Sequence, residues 1–213
     1  MATIEQLFKL PPVNTSGGVY NLTSEAGITL GFGDQRHFIR IIFLLNSAPD
    51  EKVELPELWG NYVFYLDEHP IERPTTALHY QLLYSPTSDS PSFRAWAAIV
   101  MSYLGACFVM PTIPGYDNHD IATVLLSTLR PQLHFKLVRG IADSGITQAM
   151  ASVPPYINLL AVLFAPLGQF CTNEEFIQLD SIRVSEGGVV KVGGATHPYD
   201  ELVLMLLGEE GKT

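Results

Sequence analysis

Between residues 92 and 172 the chain carries only seven charged side chains, four basic and three acidic, in 81 residues. A stretch so poor in charge cannot present much ordinary solvated surface, so it must be core, interface or membrane. Two runs inside it have no charge at all: Ala95 to Tyr116, 22 residues, and Ser144 to Asn173, 30 residues. Length alone would admit a membrane span, which needs about 20 apolar residues. The continuous apolar part of the first run, however, is Ala95 to Met110, which contains Ser102 and ends at Pro111 and Pro114. Pro154, Pro155 and Pro166 cut the second run so that Tyr156 to Ala165 is only ten residues. Two buried helices are therefore expected in preference to a membrane-inserting hairpin.

The flanks differ in charge. Residues 1 to 91 hold five basic and eleven acidic side chains and residues 173 to 213 hold three and eight, so the net charges of the three segments are −6, +1 and −5, which give the total of −10. An acidic chain has no global field to draw in phosphates, and sequence-blind binding to nucleic acid is not expected. With 213 residues, 47% of them hydrophobic, the chain is globular. One domain over residues 1–213 is expected, with a possible sub-boundary at the Ser/Pro linker Tyr84 to Ser92. Cys107 and Cys171 lie in apolar settings far apart, which excludes a disulfide scaffold and a zinc finger and argues against a reactive thiol. The first dozen residues lack a basic segment followed by an apolar one, so a cytoplasmic location is expected.

Element signals give an α+β layout. A strand-rich N-terminal part (about 18–84) reads as strands Gly18 to Leu22, Gly27 to Phe32, Phe38 to Leu45, Tyr62 to Leu66 and Ala77 to Tyr84, forming an antiparallel sheet. The apolar middle (about 92–172) reads as helical. Ser92 caps a helix from Phe93 to about Met110, and Asp117 or Asn118 caps Ile121 to Leu129. Gln132 to Gly140, Thr147 to Val153 and Tyr156 to Ala165 follow as further helices, and Thr172 caps a short one at Phe176 to Leu179. A C-terminal β-hairpin is expected at Ile182 to Val192, turning at Glu186-Gly187-Gly188, with a short closing helix over Asp200 to Leu207.

Candidate chemistry is sparse. The densest polar cluster is Asp117-Asn118-His119-Asp120, in which a histidine between carboxylates suits a general base or a metal ligand. His134, Asp143 and His197 are the only downstream groups that could complete such a site. A turn and a helix cap explain the same letters. Asp67-Glu68-His69-Pro70, with Glu72 and Arg73, is a second cluster, where strict alternation would put Asp67 and His69 on one face. Arg130, His134, Lys136 and Arg139 form the one basic concentration. If helical, His134 and Lys136 would point about 200° apart and could not form a compact patch. No Gly-x-Ser-x-Gly elbow, dinucleotide fingerprint or phosphate loop is present. The composition therefore points to a non-enzymatic structural or assembly subunit, partnered by copies of itself or by other proteins, with no cofactor. A hydrolase or lyase using Asp117, His119 and Asp120, with or without a metal, is the alternative from another class, and a membrane-inserting protein is the third.

Overall fold

The computed structural model describes residues 20–24, 27–32, 39–49, 61–73, 77–87, 90–109, 117–151, 153–169, 171–180, 182–197 and 199–211. Gly18, Phe38, Met110, Pro111, Pro114 and Tyr116, which bound segments expected from the sequence, lie outside these residues. The chain is a mixed α+β protein that divides into two compact units between Gly105 and Ala106.

In the first unit, strands β1 (Tyr20–Ser24), β2 (Gly27–Phe32), β3 (Ile39–Leu45), β4 (Asn61–Asp67) and β5 (His79–Leu83) lie in sequence order across a sheet. β1, β2 and β3 pair antiparallel, as expected, but β3 with β4 and β4 with β5 are parallel. The fully antiparallel sheet is thus corrected. The reason is burial on both faces: every residue of β4 is buried, and such strands read as continuous apolar runs without alternation. On one face Ile42, Leu44, Val63 and Tyr65 pack together. On the other, Phe43, Phe64 and Tyr80 form a ladder across three strands, each successive ring pair 5.7 Å apart. Helix α1 (Phe93–Val109) follows, with Ser92 Oγ accepting the Ala95 N–H and with Phe93 and Trp96 packed on Tyr84. The unit boundary falls inside this helix.

The second unit contains α2 (Asn118–Leu126), β6 (Gln132–Val138), α3 (Ile141–Met150), β7 (Tyr156–Pro166), α4 (Asn173–Asp180), β8 (Val190–His197) and β9 (Val203–Glu210). Its strands run in the order β6-β9-β7-β8, with β7 and β8 parallel and β9 antiparallel to both β6 and β7. Three expected helices are strands. Gln132 to Gly140 forms β6, whose apolar Leu133, Phe135 and Leu137 recur with period two once Pro131 has stopped the preceding segment. Tyr156 to Ala165 forms β7, a central strand flanked by β9 and β8 and buried on both faces. A ten-residue apolar run does not distinguish such a strand from a buried helix. Asp200 to Leu207 is not a closing helix: Val203 onward is β9, buried as far as Glu209. The middle of the chain is therefore helices interleaved with strands.

The 186–188 turn forms as expected. Gly187 sits at φ 80, the Gly188 N–H donates to the Ser185 carbonyl at 3.0 Å, and a β-carbon on Gly188 would come 1.8 Å from the Ile157 carbonyl oxygen. The chain before the turn bonds to the sheet through Ser185 N–H and Tyr156 O, and β8 after it pairs with β7.

The two faces of this sheet are covered by different helices. Leu159, Ala161, Leu163, Leu204 and Leu206 pack with Ile141 and Ile146 of α3 and Leu179 of α4, joined by Val190 and Val192 of β8. Alternation then points Lys191, Met205 and Glu209 to the opposite face. There Lys191 meets Asp120 of α2, and Met205 Sδ lies 3.7 Å from Cys107 Sγ at the end of α1.

Candidate functional site

Asp117 and Asp120 are held by a reciprocal capping box at the start of α2. Asp117 Oδ1 accepts the Asp120 N–H at 2.9 Å and Asp120 Oδ2 accepts the Asp117 N–H at 3.2 Å. Asp120 also takes the Lys191 ammonium at 2.6 Å, and chiefly this hydrogen bond holds its carboxyl below the ordinary range. His119 is exposed on the first turn, where its carbonyl accepts the Thr123 hydroxyl. Two of the groups that could complete a catalytic site, His134 and His197, do not join them. His134 is on β6, three strands from β8 or about 14 Å at ordinary strand spacing, and His197 is six residues along β8 from Lys191, about 20 Å. Asp143 falls within α3. Among the described residues no group of three or more His, Cys, Asp and Glu could hold a metal ion.

The Asp67 cluster resolves differently from its expected alternation. β4 ends at Asp67, so Glu68 and His69 turn out into solvent while Asp67 is fully buried. Its carboxylate takes Arg73 Nη2 at 2.6 Å, Arg73 Nε at 2.8 Å and Gln81 Nε2 at 2.7 Å. Arg73 donates further to the carbonyls of Ser47 and Ala48 and lies over the Tyr65 ring, 4.0 Å from its centroid. The ion pair thus ties together the segments following β3 and β4 and the middle of β5.

In the second unit His134 and Lys136 share one strand face, which replaces the helical geometry expected for the basic concentration. His134 Nδ1 is 3.0 Å from Tyr156 Oη and 3.2 Å from Glu210 Oε1; burial lowers the imidazole pKa against the pull of Glu210 and raises that of the Tyr156 phenol. Arg139 pairs with Glu201, whose carbonyl lies 2.6 Å from His197 Nε2. Burial, with the nearby Arg139 charge, pulls His197 down to about 4. Cys171 is pushed up to about 11 by burial and by Glu175, the opposite of an activated thiol. A cleft of about 190 Å³ opens between α3, α4 and Tyr156, but its Gln178 Oε1 accepts the Ile146 N–H and its Arg183 donates to the carbonyls of Asp180 and Ile182.

A loop at the end of α2 is held by residues that no local sequence pattern ties to it. Asn158 of β7 donates from Nδ2 to the Ser127 carbonyl at 2.8 Å and accepts the Val189 N–H at 3.0 Å. Glu209 of β9, 1% exposed, accepts the Leu129 N–H at 2.8 Å, with its second oxygen 3.8 Å from Arg130 Nε. Two buried polar side chains therefore fix the backbone of residues 127–129, while Leu126 and Leu129 remain 52% and 80% exposed. The available signal was Asn158 as the one polar residue in an otherwise apolar run from Tyr156 to Ala165. The sequence matches no known family model, and no curated protein is similar to it.

Proposed function

We propose that this chain is a non-catalytic structural or assembly subunit that self-associates or joins a larger complex through its second unit. The observation that carries the reading is the end of α2 with the loop after it: Asn158 and Glu209 clamp the backbone of residues 127–129, yet Leu126 and Leu129 are presented to solvent. Fully burying a leucine is worth about 1.5–3 kcal/mol, and a pre-ordered loop loses little entropy when it is covered. The engagement of Asp117 and Asp120 in a helix cap supports this reading over a hydrolase or lyase at that cluster. Over the described residues no helix is long and apolar enough to cross a membrane, and Tyr156 to Ala165, one of the two segments in the membrane alternative, is a sheet strand. Light scattering on the purified chain in detergent-free buffer tests the proposal. The expected mass is a multiple of 23.5 kDa, and a turnover lost on changing His119 alone, with folding intact, would favour the enzyme instead.

A further inference from the structure

The cleft between α3, α4 and Tyr156 is built around a break in α3. Gly145 sits at φ 73 and ψ 159 in the middle of that helix, so its second half starts afresh at Ile146, whose N–H donates to Gln178 Oε1 of α4 at 2.9 Å. A β-carbon at position 145 would lie 3.2 Å from that same oxygen, so the glycine leaves room for the bond that pins the two helices together. The segment carrying Ile182 and Arg183 is held in turn: the Ile182 N–H donates to the Leu179 carbonyl at 3.0 Å and the Ser185 N–H to the Tyr156 carbonyl at 2.8 Å. The walls thus stand without a ligand, and little ordering is needed to receive one.

Ile146 and Tyr156, each 1% exposed, close the inner end; Met150, Pro154, Pro155 and Ile182 add apolar walls, and no Asp or Glu lines the cleft. Arg183, exposed, stands at the mouth. Its contacts to the carbonyls of Asp180 and Ile182 both use Nη1, which anchors the guanidinium and leaves Nε and Nη2 without a partner among the described residues. Those two nitrogens form the edge with which Arg73 grips the Asp67 carboxylate in the first unit, two parallel bonds to a planar anion. A cavity of about 150 Å³ holds a benzene ring, so 190 Å³ leaves room for a carboxylate beside one. We propose that this cleft binds a small organic monocarboxylate, with its apolar ring or branched chain between α3 and α4 and its two oxygens on Nε and Nη2 of Arg183. Neither Leu126 nor Leu129 lines the cleft, so binding here is independent of self-association.

Benzoate is the probe, followed by saturation-transfer NMR, which also reads large assemblies, with circular dichroism as the folding control. Its expected dissociation constant is about 1 mM or lower, as suits a ligand of so few atoms. Benzyl alcohol, of the same shape without the charge, should bind the unmodified chain about fivefold more weakly or worse, as should benzoate to Arg183→Met. Thr147→Phe, which fills the cleft from an exposed position on its wall, should abolish the binding of both compounds. The proposal is overturned by no saturable benzoate binding below about 10 mM, by equal affinity for benzoate and benzyl alcohol, or by a folded Arg183→Met or Thr147→Phe chain that holds benzoate as the parent does. Should either variant lose its fold, the comparison of benzoate with benzyl alcohol on the unmodified chain decides.

Discussion

Replacing Asp67 by Asn keeps the shape of the side chain and removes its charge, which isolates the role of the buried ion pair in the first unit. The carboxylate is fully buried and receives three donors, two of them from an Arg73 side chain that is itself 4% exposed. An amide has one oxygen and turns its own N–H groups toward donors, so at best one guanidinium contact survives. Arg73 is then a buried cation that keeps, among the described residues, two carbonyls, the Tyr65 ring and at most that one amide contact. Breaking a buried pair from one side costs about 3–5 kcal/mol, a large part of the roughly 5–15 kcal/mol that holds a domain folded. In urea, followed by the fluorescence of Trp96 against Tyr84, this corresponds to a midpoint lower by about 2 M for a slope near 2 kcal/mol/M. Because the net worth of such a pair is small, Asp67→Leu with Arg73→Met and Gln81→Leu should recover at least half of the loss. A single mutant that unfolds within about 0.3 M of the parent, well under 1 kcal/mol, would refute the reasoning.

The capping box makes Asp117→Ala cost about 1 kcal/mol in thermal or urea melts, whereas exposed His119→Ala should cost no more than about 0.5 kcal/mol. His197 is neutral when folded, at about 4 against an ordinary 6.5, so the unfolded chain binds more protons between those values. Stability should be complete above pH 6.5, fall as pH drops toward 4 by an amount on the order of 3 kcal/mol, and lose that slope in His197→Phe. Gly188→Ala should destabilise by more than about 2 kcal/mol, because its methyl group meets the Ile157 carbonyl oxygen, while Gly187→Ala should cost about 1 kcal/mol through φ alone; equal melting temperatures for both would contradict the turn geometry.

Local chemistry was legible in the sequence where it acts over a few residues. Ser92, Asp117 and Thr172 cap helices where their spacing to following residues indicated, and the five N-terminal strands lie within two residues of their expected bounds. What could not be read is the consequence of burial on both faces. In Tyr156 to Ala165 and Val203 to Leu207 all but Ile157 are buried, so the pattern that separates period 2 from period 3.6 is erased, and the ten-residue length of the first run fits a buried helix as well as a strand. Strand direction was hidden for the same reason, since the alternation that marks a half-solvated antiparallel strand is missing from β4. A capping box uses the same carboxylates as a catalytic cluster, so sequence spacing alone does not separate the two at Asp117 and Asp120. The clamp at residues 127–129 was invisible because Asn158 and Glu209 lie 31 and 80 residues from the backbone they hold.

The central claim is that the second unit carries exposed apolar surface meant for another protein, first of all another copy of itself. Sedimentation velocity on the unmodified chain, over a concentration series without detergent and alongside Leu126→Ser with Leu129→Ser, tests it most directly. The account predicts a weight-average mass that rises with concentration well beyond 23.5 kDa and a substituted chain that remains near that value while retaining its fold. A single species at 23.5 kDa for both proteins across the whole series would contradict it.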